Sequence, residues 1–195
     1  MARSANHFAF ETRWGPRFVE GGAEFRLWAP SAPSIELALG DAAGKPVDFL
    51  PMEKAGGGWW RIVTDRVKPG NAYGFRLDSA LVVPDPASRQ QVGDVHSLSG
   101  LVDPTAYEWK SADWNGRPWE ETVFYELHTG TFSPSGDFDG IVEKLDYLKE
   151  TGITAIELLP VAEFGGRRGW GYDGVLLYCP HEVYGGEAGL KRLVD

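Results

Sequence analysis

Short segments in which apolar and polar residues alternate recur along residues 1–105. In segment 22–28, for example, Ala23, Phe25 and Leu27 fall on one face of an extended strand. Glu24, Arg26 and Trp28 fall on the other. The same alternation recurs in three further segments, 34–39, 59–64 and 72–77. Because Pro and Gly punctuate these segments, the pattern is typical of an antiparallel β-sandwich without helices.

Residues 106–121 have a different character. Trp109, Trp114 and Trp119 recur every five residues, a spacing that fits neither a helix nor a strand. We therefore predict a connector, and we expect its tryptophan rings to hold it against a neighbouring domain.

The pattern changes again from residue 122. A β-rich apolar run at 122–127 is followed by apolar residues at helical spacing in 139–150, with Asp137 or Asp139 as the N-cap. A nearly continuous apolar run at 153–159 then ends at Pro160. Two such strands separated by a helix predict a β-α-β unit with a parallel pair, and 187–195 begins another amphipathic helix.

The second part, residues 122–195, is much shorter than the roughly 250 residues of a complete (β/α)8 barrel. Its last helical pattern runs to Asp195 without a Gly or Asn cap. We predict a β-sandwich followed by the first β/α units of a TIM (β/α)8 barrel, truncated, so that the chain is a fragment. The alternative is a small two-stranded α/β appendage, which is less favoured because such a pair lacks independent stability.

Composition narrows the function classes. There are 19 Lys and Arg against 28 Asp and Glu, a net charge of −9, which argues against a nucleic-acid partner. No apolar run is long enough to cross a membrane, and we expect no secretory leader at the start of the chain. A single cysteine, Cys179, fits a reducing, cytoplasmic environment and is not placed like a nucleophile.

The histidines do not predict a metal site. His128 and His181 are isolated in sequence, without the ligand spacing of a zinc site. We interpret both as loop or core residues, and we expect neither a metal nor any other cofactor.

The strongest candidate site is the segment RGWGYDG, 168–174. It follows a predicted barrel strand, at the end where active sites of this architecture are built. Trp170 and Tyr172 flank Gly171, and Asp173 follows; aromatic rings stack on sugar faces and a carboxylate accepts from sugar hydroxyls. This composition predicts a carbohydrate subsite. The alternative is that the aromatic residues pack into a domain interface while Asp173 neutralises a buried arginine.

Two other groups of residues are weaker candidates. Among the carboxylates near strand ends, Glu126 and Glu157 lie in neighbouring strands, and retaining glycoside hydrolysis needs two carboxyls about 5 Å apart. Glu163 is another carboxylate near a strand end. For Glu126 and Glu157 a structural role is favoured over a catalytic one. Trp59 and Trp60 follow three glycines at 56–58, which indicates either a hairpin tip or a platform on which a glucan stacks.

The segments VFYELHTGTF and RGWGYDGVLLYCPH resemble the start of the catalytic barrel in the α-amylase superfamily, glycoside hydrolase family 13. The upstream segment FRLWAPSAPSIELAL resembles the immunoglobulin-like, early-set N-terminal domain of that family. The residue patterns predict domains at 1–105 and 122–195 joined by the connector 106–121. The resemblance implies that Tyr172 stacks under the sugar next to the scissile bond, with Trp170 and Asp173 as further substrate-binding candidates.

Family members use an Asp nucleophile, a Glu acid/base and a second Asp, and none of their motifs falls within 1–195. We therefore assign no catalytic residue and expect the chain alone to be inactive. A narrower resemblance, to members that release trehalose from maltooligosyl trehalose by cleaving an α-1,4 bond, implies an α-glucan or maltooligosyl trehalose as substrate. Two alternatives remain: a branching or debranching relative, although RGWGYDG argues against branching, and a non-catalytic glucan-binding or docking module.

Overall fold

The computed structural model describes residues 14–111 and 113–195. Residues 1–13 lie outside the described residues. The expectation about a secretory leader and the first part of the predicted sandwich both fall on them. Among the described residues, no helix is long and apolar enough to span a membrane.

Two antiparallel sheets form the sandwich. The first has the strand order β1-β2-β6-β5, and the second has the order β4-β3-β7-β8 with β9 beside β7. The strands are β1 Arg17–Val19, β2 Gly22–Trp28, β3 Ile35–Gly40, β4 Pro46–Pro51, β5 Glu53–Gly56, β6 Trp59–Thr64, β7 Ala72–Leu77, β8 Leu81–Val83 and β9 Ser99–Gly100. The predicted β-sandwich is thereby confirmed.

The core of the sandwich follows from the alternation in the sequence. Ala23, Phe25 and Leu27 of β2 are buried on its inner face, as the pattern predicts. The ring of Phe25 packs 4.9 Å from that of Tyr73 on β7. Because both sheets place alternate side chains inward, this apolar layer holds the two sheets together.

One carboxylate is buried on the outer side of the first sheet. Glu24 is almost inaccessible to solvent, and both Arg17 and Arg61 form ion pairs with it. Burial raises the pKa of Glu24, but the hydrogen bonds and charges of the two arginines outweigh it and leave the pKa below the ordinary value. Strands β1 and β6 are thus both tied to β2, which lies between them.

The second part contains the start of a barrel. Strands β10 Phe124–Leu127 and β11 Ala155–Leu158 pair in parallel, with Leu127 opposite Leu158. The remaining elements are α1 Thr129–Phe132, α2 Phe138–Val142, α3 Leu145–Glu150, β12 Ala162–Glu163, β13 Leu176–Pro180, α4 Gly186–Val194 and two short 3-10 helices, Trp119–Glu121 and Glu182–Tyr184. The parallel pair with its intervening helices confirms the predicted β/α unit.

The single helix expected over 139–150 is two helices, α2 and α3. At Lys144 the backbone leaves helical geometry, and its N–H donates to the Ile141 carbonyl at 2.9 Å, in the tighter three-residue pattern. At the start of α2, the Asp137 carboxylate accepts from the Gly140 N–H at 2.8 Å and caps the helix. Of the two cap candidates, Asp137 is therefore the one used.

The connector is held mainly by hydrogen bonds. The Asp195 carboxylate accepts from the backbone N–H groups of Lys110 and Ser111 at 2.8 and 2.9 Å. Trp109 is half-buried beside Tyr107, but Trp114 and Trp119 are each 74% exposed. The ring of Trp119 nevertheless lies 5.3 Å from that of Phe124 on β10. The expectation that the connector tryptophans hold it against a domain is therefore supported at Trp119 and not by the exposed Trp114.

Asp85 is a buried carboxylate in the sandwich whose protonation affects the stability of the fold. Its carboxylate is buried and accepts from the Tyr73 hydroxyl at 2.9 Å and the Ala87 N–H at 2.8 Å. Burial raises the pKa of Asp85 from 3.8 to about 6 despite these hydrogen bonds. Since the folded state binds the proton more tightly than the unfolded chain, raising the pH from about 4 to about 6 destabilises the fold.

We predict that Asp85→Asn removes this pH dependence. Between pH 4 and 7, the free energy of unfolding of the wild type should fall relative to that of the variant by up to about 3 kcal/mol. Urea titrations followed by tryptophan fluorescence measure this difference, with Asp65→Asn on an exposed carboxylate as the control. Parallel pH profiles for the wild type and Asp85→Asn would contradict the prediction.

Candidate functional site

The segment 168–174 lies directly against the end of strand β11. Gly171 has a φ of +96°, and a Cβ at this position would lie 2.0 Å from the carbonyl oxygen of Pro160. At Gly174 a Cβ would lie 2.8 Å from the side chain of Ala162. Only glycine permits such a close approach at position 171. The residues on either side of Gly171, Trp170 and Tyr172, are 75% and 72% exposed.

A second attachment joins this loop to the end of strand β10. The Nε2 atom of His128 lies 2.8 Å from the carbonyl oxygen of Gly169, and since a carbonyl only accepts, the Nε2–H is the donor. The Nδ1 atom then accepts from the Thr131 hydroxyl at 3.2 Å. The loop is therefore fixed to the carboxyl ends of both parallel strands, where barrel active sites lie.

A cavity of about 810 Å³ opens between this loop and the segment that follows β10. One side of the cavity is lined by Arg168, Trp170 and Asp173 of the loop and by Arg167, which precedes it. Tyr172 lies outside the cavity lining, on the exposed side of the same loop. The structure thus brings Trp170 and Asp173 to one cavity and places Tyr172 next to it.

A buried polar pair supports the base of the loop. The Nδ1 atom of His181 lies 2.8 Å from one carboxylate oxygen of Glu163, and the backbone N–H of Glu182 donates to the other oxygen at 2.9 Å. The ring of Phe164 packs against that of His181, tilted by 35°, with centroids 3.9 Å apart. Because β12 carries Glu163 and His181 directly follows β13, the pair holds the two ends of the loop segment together.

The lone cysteine lies behind this pair. Burial, together with the charges of Glu163 and Glu182, raises the pKa of the Cys179 thiol to about 12. This pKa favours the protonated thiol near neutral pH, which is the less nucleophilic form.

The carboxylates of the two parallel strands lie side by side. Glu126 and Glu157 are register partners, and both side chains are exposed. Neither residue lines the cavity next to the loop. Within 14–111 and 113–195, no group of three or more His, Cys, Asp and Glu side chains has a geometry that would hold a metal ion.

Sequence reasoning missed two features of this site. The hydrogen bond from His128 to Gly169 and the Glu163–His181 pair each join residues that are far apart in sequence. A partial signal was present, since His128 and Glu163 both lie at the ends of apolar strand segments facing the glycine-rich loop.

Two family models match the chain. The model described as "Alpha amylase, catalytic domain" matches residues 61–195, and that of "Carbohydrate-binding module 48 (Isoamylase N-terminal domain)" matches residues 10–88.

Similar proteins carry related names. A malto-oligosyltrehalose trehalohydrolase of Saccharolobus solfataricus is 41% identical over 93% of this chain and 31% of its own length. One of Mycobacterium tuberculosis is 44% identical over 88% of this chain and 29% of its own length. A crystal structure of a putative α-amylase from Salmonella typhimurium has a TM-score of 0.88 and 46% identity, covering 95% of this chain and 31% of that one. The chain thus spans about a third of the length of these relatives.

We predict that Gly171→Ala displaces the loop. Left-handed backbone costs an alanine on the order of 1 kcal/mol, and the contact with Pro160 adds to this, so the free energy of unfolding should fall by about 2 kcal/mol or more. Gly166→Ala is the matched control, because Gly166 has a φ of +89° but open space around its Cβ position. Equal losses of stability in the two variants, measured by urea unfolding, would show that the Pro160 contact does not restrain the loop.

Proposed function

The chain belongs to the α-amylase family, and from this premise we propose that it is the N-terminal part of a glycoside hydrolase that releases trehalose from maltooligosyl trehalose. The observation that carries the proposal is the identity of 41–44% with malto-oligosyltrehalose trehalohydrolases over about nine-tenths of the chain. The two family models together match residues 10–195, which include the sandwich strands and the glycine-rich loop at 168–174. The bond cleaved would be the α-1,4 linkage next to the trehalose unit.

In this proposal, residues of the loop bind the sugar and do not carry out bond cleavage. Tyr172 offers an exposed ring for stacking on the apolar face of a glucose residue next to the scissile bond. Trp170 provides a second ring, and the carboxylate of Asp173 accepts hydrogen bonds from sugar hydroxyls. The retaining reaction also needs a nucleophile and an acid/base carboxyl, which the family places on later barrel strands.

The attachments of the loop support this assignment. Stacking gains most when the ring is already oriented, because less conformational entropy is lost on binding. The contact of Gly171 with Pro160 and the hydrogen bond from His128 to Gly169 supply this restraint. The substrate class that fits such a site is an α-glucan with a trehalose end.

We further propose the division of the chain into a sandwich at 1–105, a connector at 106–121 and a barrel segment at 122–195. The hydrogen bonds from the backbone of Lys110 and Ser111 to the Asp195 carboxylate support a defined attachment of the connector to the barrel segment. A cytoplasmic location also belongs to the proposal, and the single free cysteine, Cys179, supports it.

The test is the release of trehalose by the longer protein that carries this chain as its N-terminal part. We expect it to release trehalose from maltooligosyl trehalose and to form no new α-1,6 linkages. The 195-residue chain should release none under the same conditions, since it lacks the carboxyl pair that hydrolysis needs. Failure of the longer protein to release trehalose above a substrate-only blank, or turnover by the 195-residue chain, would contradict the proposal.

A further inference from the structure

The buried Glu163–His181 pair lines a second cavity, which is distinct from the cavity beside the candidate loop. This second cavity has a volume of about 640 Å³, and its lining combines residues of the barrel segment with Gly93 and Asp94, which precede β9. None of its described lining residues belongs to the loop at 168–174. The cavity therefore lies where the two parts of the chain meet, which is a common location of ligand sites.

Two polar side chains that line this cavity each have an atom without a partner. The side chain of His181 is 2% exposed, and its Nε2 atom has no hydrogen-bond partner among the described residues. The Oε1 atom of Glu182 is buried and, within the same part of the chain, also has no partner. Because a polar atom is costly to bury alone, each of the two points to an occupant that supplies a hydrogen bond.

The tautomer of His181 determines what that occupant must offer. Both oxygens of the Glu163 carboxylate accept, one from the backbone N–H of Glu182 and the other from the Nδ1–H of His181. With the proton on Nδ1, the neutral ring carries a lone pair on Nε2. The two unpartnered atoms are therefore both acceptors, and the matching occupant is a hydrogen-bond donor.

The charges of the lining favour a cation. Three carboxylates line the cavity, those of Asp94, Glu163 and Glu182. Among the described lining residues, Arg167 is the only lysine or arginine. The hydrogen bond from the His96 N–H holds the pKa of Asp94 below its ordinary value, which favours the charged form. Burial and the charge of Glu163 raise the pKa of Glu182, and a cation beside Glu182 offsets both effects.

We propose that this cavity binds a small primary ammonium compound, R–NH3+, whose N–H groups donate to Nε2 of His181 and Oε1 of Glu182. A primary ammonium carries one positive charge and three donors, so it matches both the unpartnered acceptors and the acidic lining. A water molecule would satisfy the acceptors but would leave the excess negative charge in place. The site goes beyond the proposed function, since it involves neither the loop at 168–174 nor trehalose release.

Titration with butylammonium, followed by NMR of the 195-residue chain with isotope-labelled histidine, tests the site. The Nε2 resonance of His181 is identified as the one that His181→Asn removes. We expect butylammonium to shift this resonance in a saturable way, with a Kd on the order of 1 mM for so small a ligand. Tetramethylammonium has the same charge but no N–H donor, so it should bind about tenfold more weakly or worse.

A charge-neutral variant makes the result specific. Glu182→Gln keeps the size of the side chain but removes its charge, so it should weaken butylammonium binding about tenfold. The backbone N–H of residue 182, which donates to Glu163, is unchanged, and the Glu163–His181 pair should therefore stay intact. Glu126→Gln is the matched control, because Glu126 is an exposed carboxylate outside this cavity lining. The control should bind like the wild type.

Four results would overturn the proposal. Butylammonium may leave the His181 resonance unmoved at concentrations far above the expected Kd, or tetramethylammonium may bind equally well. Folded Glu182→Gln may bind as tightly as the wild type. A crystal structure of the longer protein may show one of its own side chains filling the cavity. Trehalose release is measured separately, so a failure of this proposal is distinguishable from a failure of the proposed function.

Discussion

The close approach of Gly171 to the carbonyl of Pro160 determines where the candidate sugar-binding residues lie. A side chain at position 171 would lie 2.0 Å from that oxygen, so the loop can rest on the end of β11 only with glycine there. The neighbouring rings of Trp170 and Tyr172 are consequently directed away from the strand and into solvent. The other contacts of the site stabilise a loop whose path this one position sets.

Buried polar pairs complete the support. His128 joins the loop to β10, and the Glu163–His181 pair joins the strands on either side of it. A buried carboxylate such as Glu163 is costly unless its oxygens are hydrogen-bonded, and both of them accept, so this pairing favours one arrangement over others. Glu24 has the same effect in the sandwich, where Arg17 and Arg61 hold three strands in register. Both parts of the chain thus combine an apolar layer with a fixed polar contact.

Much of the fold follows from the sequence pattern, because alternation directly reports which face of a strand is buried. Strands β2, β6 and β7 have the bounds that the alternation predicts, and the parallel pair was predicted from two apolar runs around a helical one. The break at Lys144 was not predictable, since the apolar spacing continues across it. The exposure of Trp114 and Trp119 was also missed, because composition does not report what a ring contacts.

The candidate site was predictable only in part. The loop was identified by its glycines, aromatic residues and position after a strand, all of which are local features. The roles of His128 and of the Glu163–His181 pair depend on how the strands come together, which no local pattern contains.

A crystal structure of the longer protein with bound maltooligosyl trehalose shows most directly whether the restrained loop presents Tyr172 to the sugar. We expect a glucose ring to stack on Tyr172 with carbon atoms about 4 Å apart, and Gly171 to keep its contact with Pro160. A sugar bound away from the loop, with Tyr172 packed into a domain interface, would contradict the assignment of Tyr172 to sugar binding.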